Sequence, residues 1–192
     1  MSRLEETLGA LPGLLRGERV TAEGRYVSVR DAWLVTSDVP PPELWMAAFG
    51  PRMLGLTARH ASGWNTAWHG PDTSRFTGEL AALREACTAA GRDPSEIEIS
   101  AGLWMVPLEG DELEAAEQRA AALYGAHADT SWPAPMRMRM HTGSLEQLAA
   151  GIRAYADAGA EHVILNLSVT PFTLFDRSYL ERAAPLVELV KG

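Results

Sequence analysis

Four short runs of apolar residues are separated by longer segments in which apolar positions recur at helical spacing. The runs predict buried strands over 44–49, 63–68, 96–106 and 162–168. The other segments predict helices over 51–61, 76–90, 111–124, 144–158 and 179–190. Apolar strands that alternate with amphipathic helices indicate a parallel sheet covered by helices, so the fold class is α/β. Four βα units in succession fit either an open sheet or part of a (β/α)8 barrel.

The chain before the first βα unit has a different pattern. Leucines at helical spacing predict an N-terminal helix over 3–16, although Pro12 and Gly13 interrupt it. Apolar and polar residues alternate over 25–35, which predicts a β-hairpin or two short strands with a turn at Arg30-Asp31.

Two segments have the composition of connections. Consecutive prolines make 36–42 a rigid connector, because proline joins neither a helix nor a central strand. The stretch 125–143 is rich in Pro, Ala, Met and Arg and predicts a long loop. Within it, the alternating sequence MRMRM at 136–140 fits a lid, a partner surface or simply a solvated loop.

Helix boundaries carry recognisable signals. Asp111 and Glu114 have the spacing of an N-cap and the third helical residue. Ser144 and Gln147 form a capping box at the start of the next helix, and Gly159 marks its end.

Composition limits the function classes. The chain has 192 residues, of which 46% are apolar and 22% charged, as in one globular domain over 1–192. Its net charge of -8 argues against a nucleic-acid surface and against anionic membranes. The single cysteine, Cys87, shares a helical stripe with apolar residues and is expected to be a buried, inert thiol. Two glutamates in the first six residues and the lack of a long apolar run predict no signal peptide and a cytoplasmic location.

The end of the first predicted strand is the best candidate for binding an anion. Ala47, Ala48 and Gly50 are small enough for a ligand to approach the main chain. The helix that follows presents unpaired N–H groups and the positive end of its dipole, and Arg52 can add a phosphate contact. The alternative is a tight strand-to-helix turn with an exposed arginine, and spacing alone leaves both open.

Other candidates lie at the ends of the remaining strands. His69 either faces a pocket or is an ordinary loop histidine. Trp64, Trp68 and Trp104 either wall an apolar pocket for a flat ligand or fill the core. Asn166 either binds a ligand or satisfies the end of a strand.

No familiar catalytic motif accompanies these residues. The five histidines have no HxH or HExxH spacing, so we expect no metal site. The chain also has no GxSxG, P-loop or GxGxxG motif.

The segment PPPELWMAAFGPRMLGLTARHASGWNTAW resembles the bacterial luciferase-like monooxygenase family. Three further pieces agree with that family in order: LLRGERVTAEGRYVSVRDAWL, LAALREACTAAGRDPSEIEIS and GSLEQLAAGIRAYADAGAEHVILNL. The resemblance implies a (β/α)8 TIM barrel whose enzymes use FMN or the deazaflavin coenzyme F-420. It also implies that the end of the first predicted strand and the next helix contact the cofactor. The residues are Ala47, Ala48, Phe49, Gly50, Arg52 and Met53, where Phe49 departs from the small or polar residue usual in the family and would stack on the cofactor tail or crowd it.

The matching segments correspond to the second half of such a barrel. A whole barrel needs about 250 residues. We therefore expect a partial barrel of about four βα units, preceded by a helix and a hairpin. Its open edges call for a second copy or for a separate chain that supplies the other half, unless the chain is a fragment of a longer protein. The resemblance implies an oxidoreductase, or a subunit of one, acting on a small organic substrate, with no catalytic residue assigned. The alternative is a non-catalytic half-barrel that binds a cofactor or a partner without turnover.

Overall fold

The computed structural model of the chain describes residues 2–35, 40–124, 140–169 and 176–191. Its helices are α1 Arg3–Leu15, α2 Gly50–His60, α3 Ser74–Ala89, α4 Gly110–Tyr124, α5 Leu145–Asp157, α6 Arg177–Ala183 and α7 Leu186–Leu189. Its strands are β1 Val20–Glu23, β2 Ser28–Ala32, β3 Trp45–Ala47, β4 Gly63–His69, β5 Glu98–Val106, β6 Met140–Thr142 and β7 His162–Asn166.

The chain divides into two compact units. The first contains Met1–Trp64 and Ala81–Glu98, and the second contains Asn65–Leu80 and Ile99–Gly192. Strand β4 and helix α3 each contribute residues to both units. That residues 1–192 form a single domain stays a prediction.

In the first unit, α1 is tied to an antiparallel hairpin of β1 and β2. Ser2 and Glu5 form a capping box that begins α1. The Glu6 carboxylate accepts hydrogen bonds from the main-chain N–H groups of Arg25, Tyr26 and Val27. These bonds hold the turn between the strands, and they lower the pKa of Glu6.

The turn predicted at Arg30-Asp31 is therefore wrong. Both residues lie within β2, where Asp31 adopts a positive φ of 49° and its carboxylate pairs with Arg19. The alternating pattern over 25–35 begins inside the actual turn, so it does not include β1, the first strand of the hairpin.

Strand β3 lies beside the start of β4 in the same unit. The N–H groups of Ser62 and Gly63 donate to the carbonyl of Leu44. The indole N–H of Trp64, which is fully buried, donates to the carbonyl of Ala48 at 3.0 Å. Trp64 therefore fills the core, and its bond fixes the main chain just beyond β3.

The second unit is organised around β5. Strand β4 is next to β5, and β6 and β7 each pair with β5 in parallel. In this register Trp104 lies opposite Asn166, and Met105 lies opposite His141. Because paired residues of neighbouring strands share a face, Trp104 and Asn166 lie on one side of the sheet and His141 on the other.

Three predicted boundaries are corrected by the structure. The predicted loop 125–143 ends in strand β6, because Met140–Thr142 pairs with the end of β5. Helix α4 begins at Gly110, so Asp111 lies in the first turn and is not the N-cap. The predicted final helix is two short helices, α6 and α7, separated at Pro185. Residues 36–39 of the connector, and 125–139 with most of the MRMRM run, lie outside the described residues.

Other local predictions are confirmed. Ser144 and Gln147 form the capping box of α5, with the main-chain N–H of Ser144 donating to Gln147 Oε1 at 2.9 Å. Gly159 adopts a φ of 107° just after this helix. Cys87 is buried, and burial raises the pKa of its thiol.

Candidate functional site

The junction between β3 and α2 contains a helix N-terminus without a side-chain cap. Strand β3 ends at Ala47, the next residue Ala48 is buried, and α2 begins at Gly50. Phe49 is the N-cap residue, and its side chain makes no capping hydrogen bond. The first turn of α2 itself contains no acidic residue.

Gly50 leaves this junction open. Its φ is +76°, a conformation that favours glycine, and a Cβ built on it meets no heavy atom within 4 Å. Apart from its neighbours Phe49 and Pro51, no residue therefore blocks the space that a Cβ would occupy at Gly50.

Arg52 brings a positive charge to the junction. The Arg52 side chain is 68% exposed, and its guanidinium lies 3.7 Å from a carboxylate oxygen of Glu5. Arg59, in the last turn of the same helix, lies 3.6 Å from the other oxygen of Glu5. The Glu5 carboxylate thus forms long ion pairs with two guanidinium groups. Met53 is half-buried, and its carbonyl accepts a hydrogen bond from the Thr57 hydroxyl.

In the second unit, three of the predicted pocket residues share one face of the sheet. The half-buried ring of Trp68 lies against β5 at Gly102, where a Cβ would come within 3.1 Å of the ring. Trp104 is buried and its indole N–H donates to the carbonyl of Ser168. The Asn166 side-chain oxygen accepts from the Ser168 hydroxyl at 2.6 Å and from its N–H at 3.0 Å. Trp104 therefore fills the core, and the Asn166 oxygen satisfies the end of β7.

His69 is the last residue of β4 and is only 2% exposed, so the expectation of an ordinary loop histidine is wrong. The Thr66 hydroxyl donates to the Glu79 carboxylate and lies 3.1 Å from His69 Nε2. Because the only hydroxyl hydrogen goes to Glu79, Thr66 Oγ1 is the acceptor for a hydrogen on His69 Nε2. Arg75 pairs with the same carboxylate at 2.8 Å. The histidine is buried because its ring packs between helices, 5.7 Å from the rings of both Phe76 and Tyr155.

Two polar residues that sequence reasoning missed complete this buried cluster. Tyr155 on α5 is fully buried, and its hydroxyl lies 2.8 Å from the carbonyl of Gly70 and 3.1 Å from that of Asp72. Burial, reinforced by the negative charge of Asp72, raises the pKa of Tyr155 to about 12. His141 on β6 also hydrogen-bonds the Gly70 carbonyl, and burial lowers its pKa. Tyr155 stands out as a polar group in an otherwise apolar helix stripe, whereas nothing in the sequence marked His141 as a strand residue.

Within 2–35, 40–124, 140–169 and 176–191, no group of three His, Cys, Asp or Glu side chains is placed to hold a metal ion. No helix in these ranges is long and apolar enough to cross a membrane.

Comparisons with known proteins agree on one family. The sequence profile of the luciferase-like monooxygenases matches residues 1–162. The F-420-dependent hydroxymycolic acid dehydrogenase of Mycobacterium tuberculosis (strain ATCC 25618 / H37Rv) is 29% identical over 180 residues, which are 90% of this chain and 48% of that protein. The chain spans about half the length of this curated relative.

Solved structures show the fold. An F-420-dependent secondary alcohol dehydrogenase, in complex with an F-420–acetone adduct, superimposes with a TM-score of 0.74 at 19% identity, covering 97% of this chain and 61% of that one. A riboflavin lyase with modified FMN and riboflavin gives a TM-score of 0.59 at 18% identity, covering 89% and 48%. The predicted fold class, an α/β chain equivalent to part of a TIM barrel, is confirmed.

Proposed function

The chain belongs to the luciferase-like monooxygenase family, and from this premise we propose that it is part of an oxidoreductase that binds coenzyme F-420 or FMN. The reaction is monooxygenation or hydride transfer on a small organic substrate. When bound, the cofactor supplies the redox chemistry. The chain's own residues bind and orient the cofactor and exclude water from it.

The β3–α2 junction carries this proposal. The first N–H groups of α2 receive no side-chain cap from Phe49, Gly50 leaves their approach open, and Arg52 adds an exposed positive charge. Donors at a helix N-terminus together with an arginine suit a phosphate group, and both cofactors carry one on a flexible tail. The residues present therefore fit the phosphate-bearing part of either cofactor.

Each predicted residue has a role in this proposal. Gly50 and Arg52 donate to the phosphate. The exposed Ala47 keeps the main chain approachable, and the buried Ala48 fixes the end of β3 through its carbonyl. Phe49, whose ring is 48% exposed, and Met53 contact the apolar part of the tail. In the second unit, the half-buried Trp68 and Asn166 are the pocket residues that can reach a ligand, whereas Trp104 and His69 are buried.

Coenzyme F-420 is the favoured cofactor. Both the curated relative at 29% identity and the structure with a TM-score of 0.74 are named as F-420-dependent. FMN is the alternative, because the riboflavin lyase of similar fold holds a modified FMN.

The chain matches only part of the length of its relatives. The chain covers 48% of the curated relative and 61% of the similar structure. On β7, which pairs with β5, Ile164 is 46% exposed. Such exposure is expected for a sheet face against which another part of the barrel packs. We propose that a second copy, a separate chain or a longer form of this protein supplies it. A cytoplasmic location belongs to the same proposal.

A pair of glycine variants tests the cofactor site. Gly50 and Gly91 both have positive φ, at 76° and 70°, and a Cβ on either meets no heavy atom within 4 Å. Alanine should therefore strain the main chain at both positions by about 1–2 kcal/mol. We expect Gly50→Ala to weaken binding of F-420 or FMN about tenfold in a fluorescence titration. Gly91→Ala should leave binding unchanged.

Gly91→Ala separates the effect of main-chain strain from a loss of cofactor contacts. Equal weakening by the two variants would mean that the junction does not hold the cofactor. Cofactor binding without turnover in the complete assembly would favour the alternative function, a non-catalytic half-barrel.

A further inference from the structure

The segment Gly70–Asp72, which follows β4, is held by two side chains from other elements of the second unit. The Tyr155 hydroxyl, with one hydrogen to donate, lies within hydrogen-bond distance of the carbonyls of Gly70 and Asp72. His141 also hydrogen-bonds the Gly70 carbonyl. Residues Gly70–Asp72 are largely exposed, so the buried donors of Tyr155 and His141 hold the segment in place.

The His141 ring is fixed in one orientation. Its Nε2 atom is buried and has no hydrogen-bond partner among the described residues, so Nδ1 is the atom that donates to Gly70. Gly151 on α5 makes room for the ring, because a Cβ there would lie 2.9 Å from His141 Nδ1. The ring of Tyr155 lies 6.2 Å from that of His141. The neutral imidazole with hydrogen on Nδ1 therefore fits the site.

We propose that His141 and Tyr155 form an acid-sensitive clamp, which holds Gly70–Asp72 against the end of β4 and releases it when His141 gains a second proton. That proton would sit on Nε2, which no described acceptor faces. A buried charge without a partner is costly, so protonation drives the ring out of its position.

The other titratable groups around the clamp do not respond in the same way. Tyr155 remains a neutral donor, because its pKa is raised to about 12. The pKa of Asp72 is lowered by hydrogen bonds from Ser74, so it stays charged. The His69 ring has a carboxylate beside it, because its Nε2 lies 4.0 Å from Glu79, which also pairs with Arg75. His141, by contrast, has burial as the main influence on its pKa, with no carboxylate to compensate a charge.

The direction of the pH effect follows from burial. The pKa of His141 lies below its ordinary value in the folded state, so the folded state binds fewer protons than the released state. The clamp is therefore intact above the ordinary histidine pKa of about 6.5, and it weakens as the pH falls toward the folded value. This inference depends on the contacts alone and not on the proposed function.

Nuclear magnetic resonance of the intact chain tests the clamp without any ligand. Between about pH 7.5 and about pH 5, the carbonyl-carbon shift of Gly70 should move with the same midpoint as the His141 ring nitrogens. His141→Asn retains a donor near the Nδ1 position but cannot titrate. It should abolish the pH dependence of the Gly70 signal. His162→Asn, at an exposed histidine of β7, should leave that dependence intact.

Tyr155→Phe provides a second measurement, because it removes the hydroxyl and retains the ring. We expect the Gly70 and Asp72 carbonyl signals to shift at every pH in this variant, while the histidine-dependent response of Gly70 remains. The clamp is refuted if the Gly70 carbonyl does not respond to acid, or if its response persists in His141→Asn. Equal movement of signals throughout the second unit would also refute it, since that result indicates general unfolding.

Discussion

Phe76→Ala is expected to lower the free energy of unfolding by about 3–5 kcal/mol. The Phe76 ring is fully buried and lies 5.4 Å from the ring of Tyr155 and 5.7 Å from that of His69. Alanine at this position would leave a cavity beside the hydrogen-bonded side chains of Thr66, His69 and Glu79. Because domains are stable by only about 5–15 kcal/mol, this loss is a large fraction of the total.

Phe49→Ala is the matched control for this prediction. It removes the same atoms from a ring that is 48% exposed, so much less apolar surface returns to water. Urea unfolding of both variants measures the difference. Similar losses from the two substitutions would contradict the assignment of Phe76 to the core of the second unit.

Arg52→Ala is expected to weaken cofactor binding by about 10- to 150-fold, the equivalent of about 1.5–3 kcal/mol for a charge-assisted hydrogen bond. The guanidinium is exposed and adjoins N–H groups that no side chain caps. Its ion pair with Glu5 is long, at 3.7 Å, so a phosphate can replace that partner. The effect should diminish at high salt, since the contact lies at the surface.

Arg59→Ala is a close control, because Arg59 lies on the same helix and contacts the same Glu5 carboxylate. Each variant removes one positive charge and one ion pair with α1. A fluorescence titration should show near-normal affinity for Arg59→Ala. If both variants bind equally well, or lose affinity equally, Arg52 does not contact the cofactor.

Strand β5 was predictable because its burial leaves a simple mark in the sequence, whereas β6 fell within a predicted loop. Residues 98–106 of β5 are almost all buried, and such a strand reads as a continuous apolar run. The start of α5 was predictable because Ser144 and Gln147, which form its capping box, are only three positions apart in the sequence. The hairpin turn was not, since its anchor, Glu6, lies 19 residues before Arg25 in the chain.

The two parts of the candidate site also differ in how much of them could be predicted from the sequence. The β3–α2 junction could be named from sequence because its small residues, its helix start and Arg52 are contiguous. The buried cluster could not, because Thr66, Glu79, His141 and Tyr155 come from four separate elements. Only folding places them together. His69 illustrates the difference: one more residue in β4 turned an expected loop histidine into a buried one.

We propose that this chain holds a cofactor at the β3–α2 junction as part of a luciferase-like oxidoreductase. Native mass spectrometry of the assembly, with F-420 or FMN supplied, tests it most directly. We predict an assembly of more than one chain, or a longer form of this chain, that retains one cofactor for each junction. The cofactor should be retained in Arg59→Ala and lost in Arg52→Ala. An assembly that retains neither cofactor, or that retains it equally in both variants, would contradict the claim.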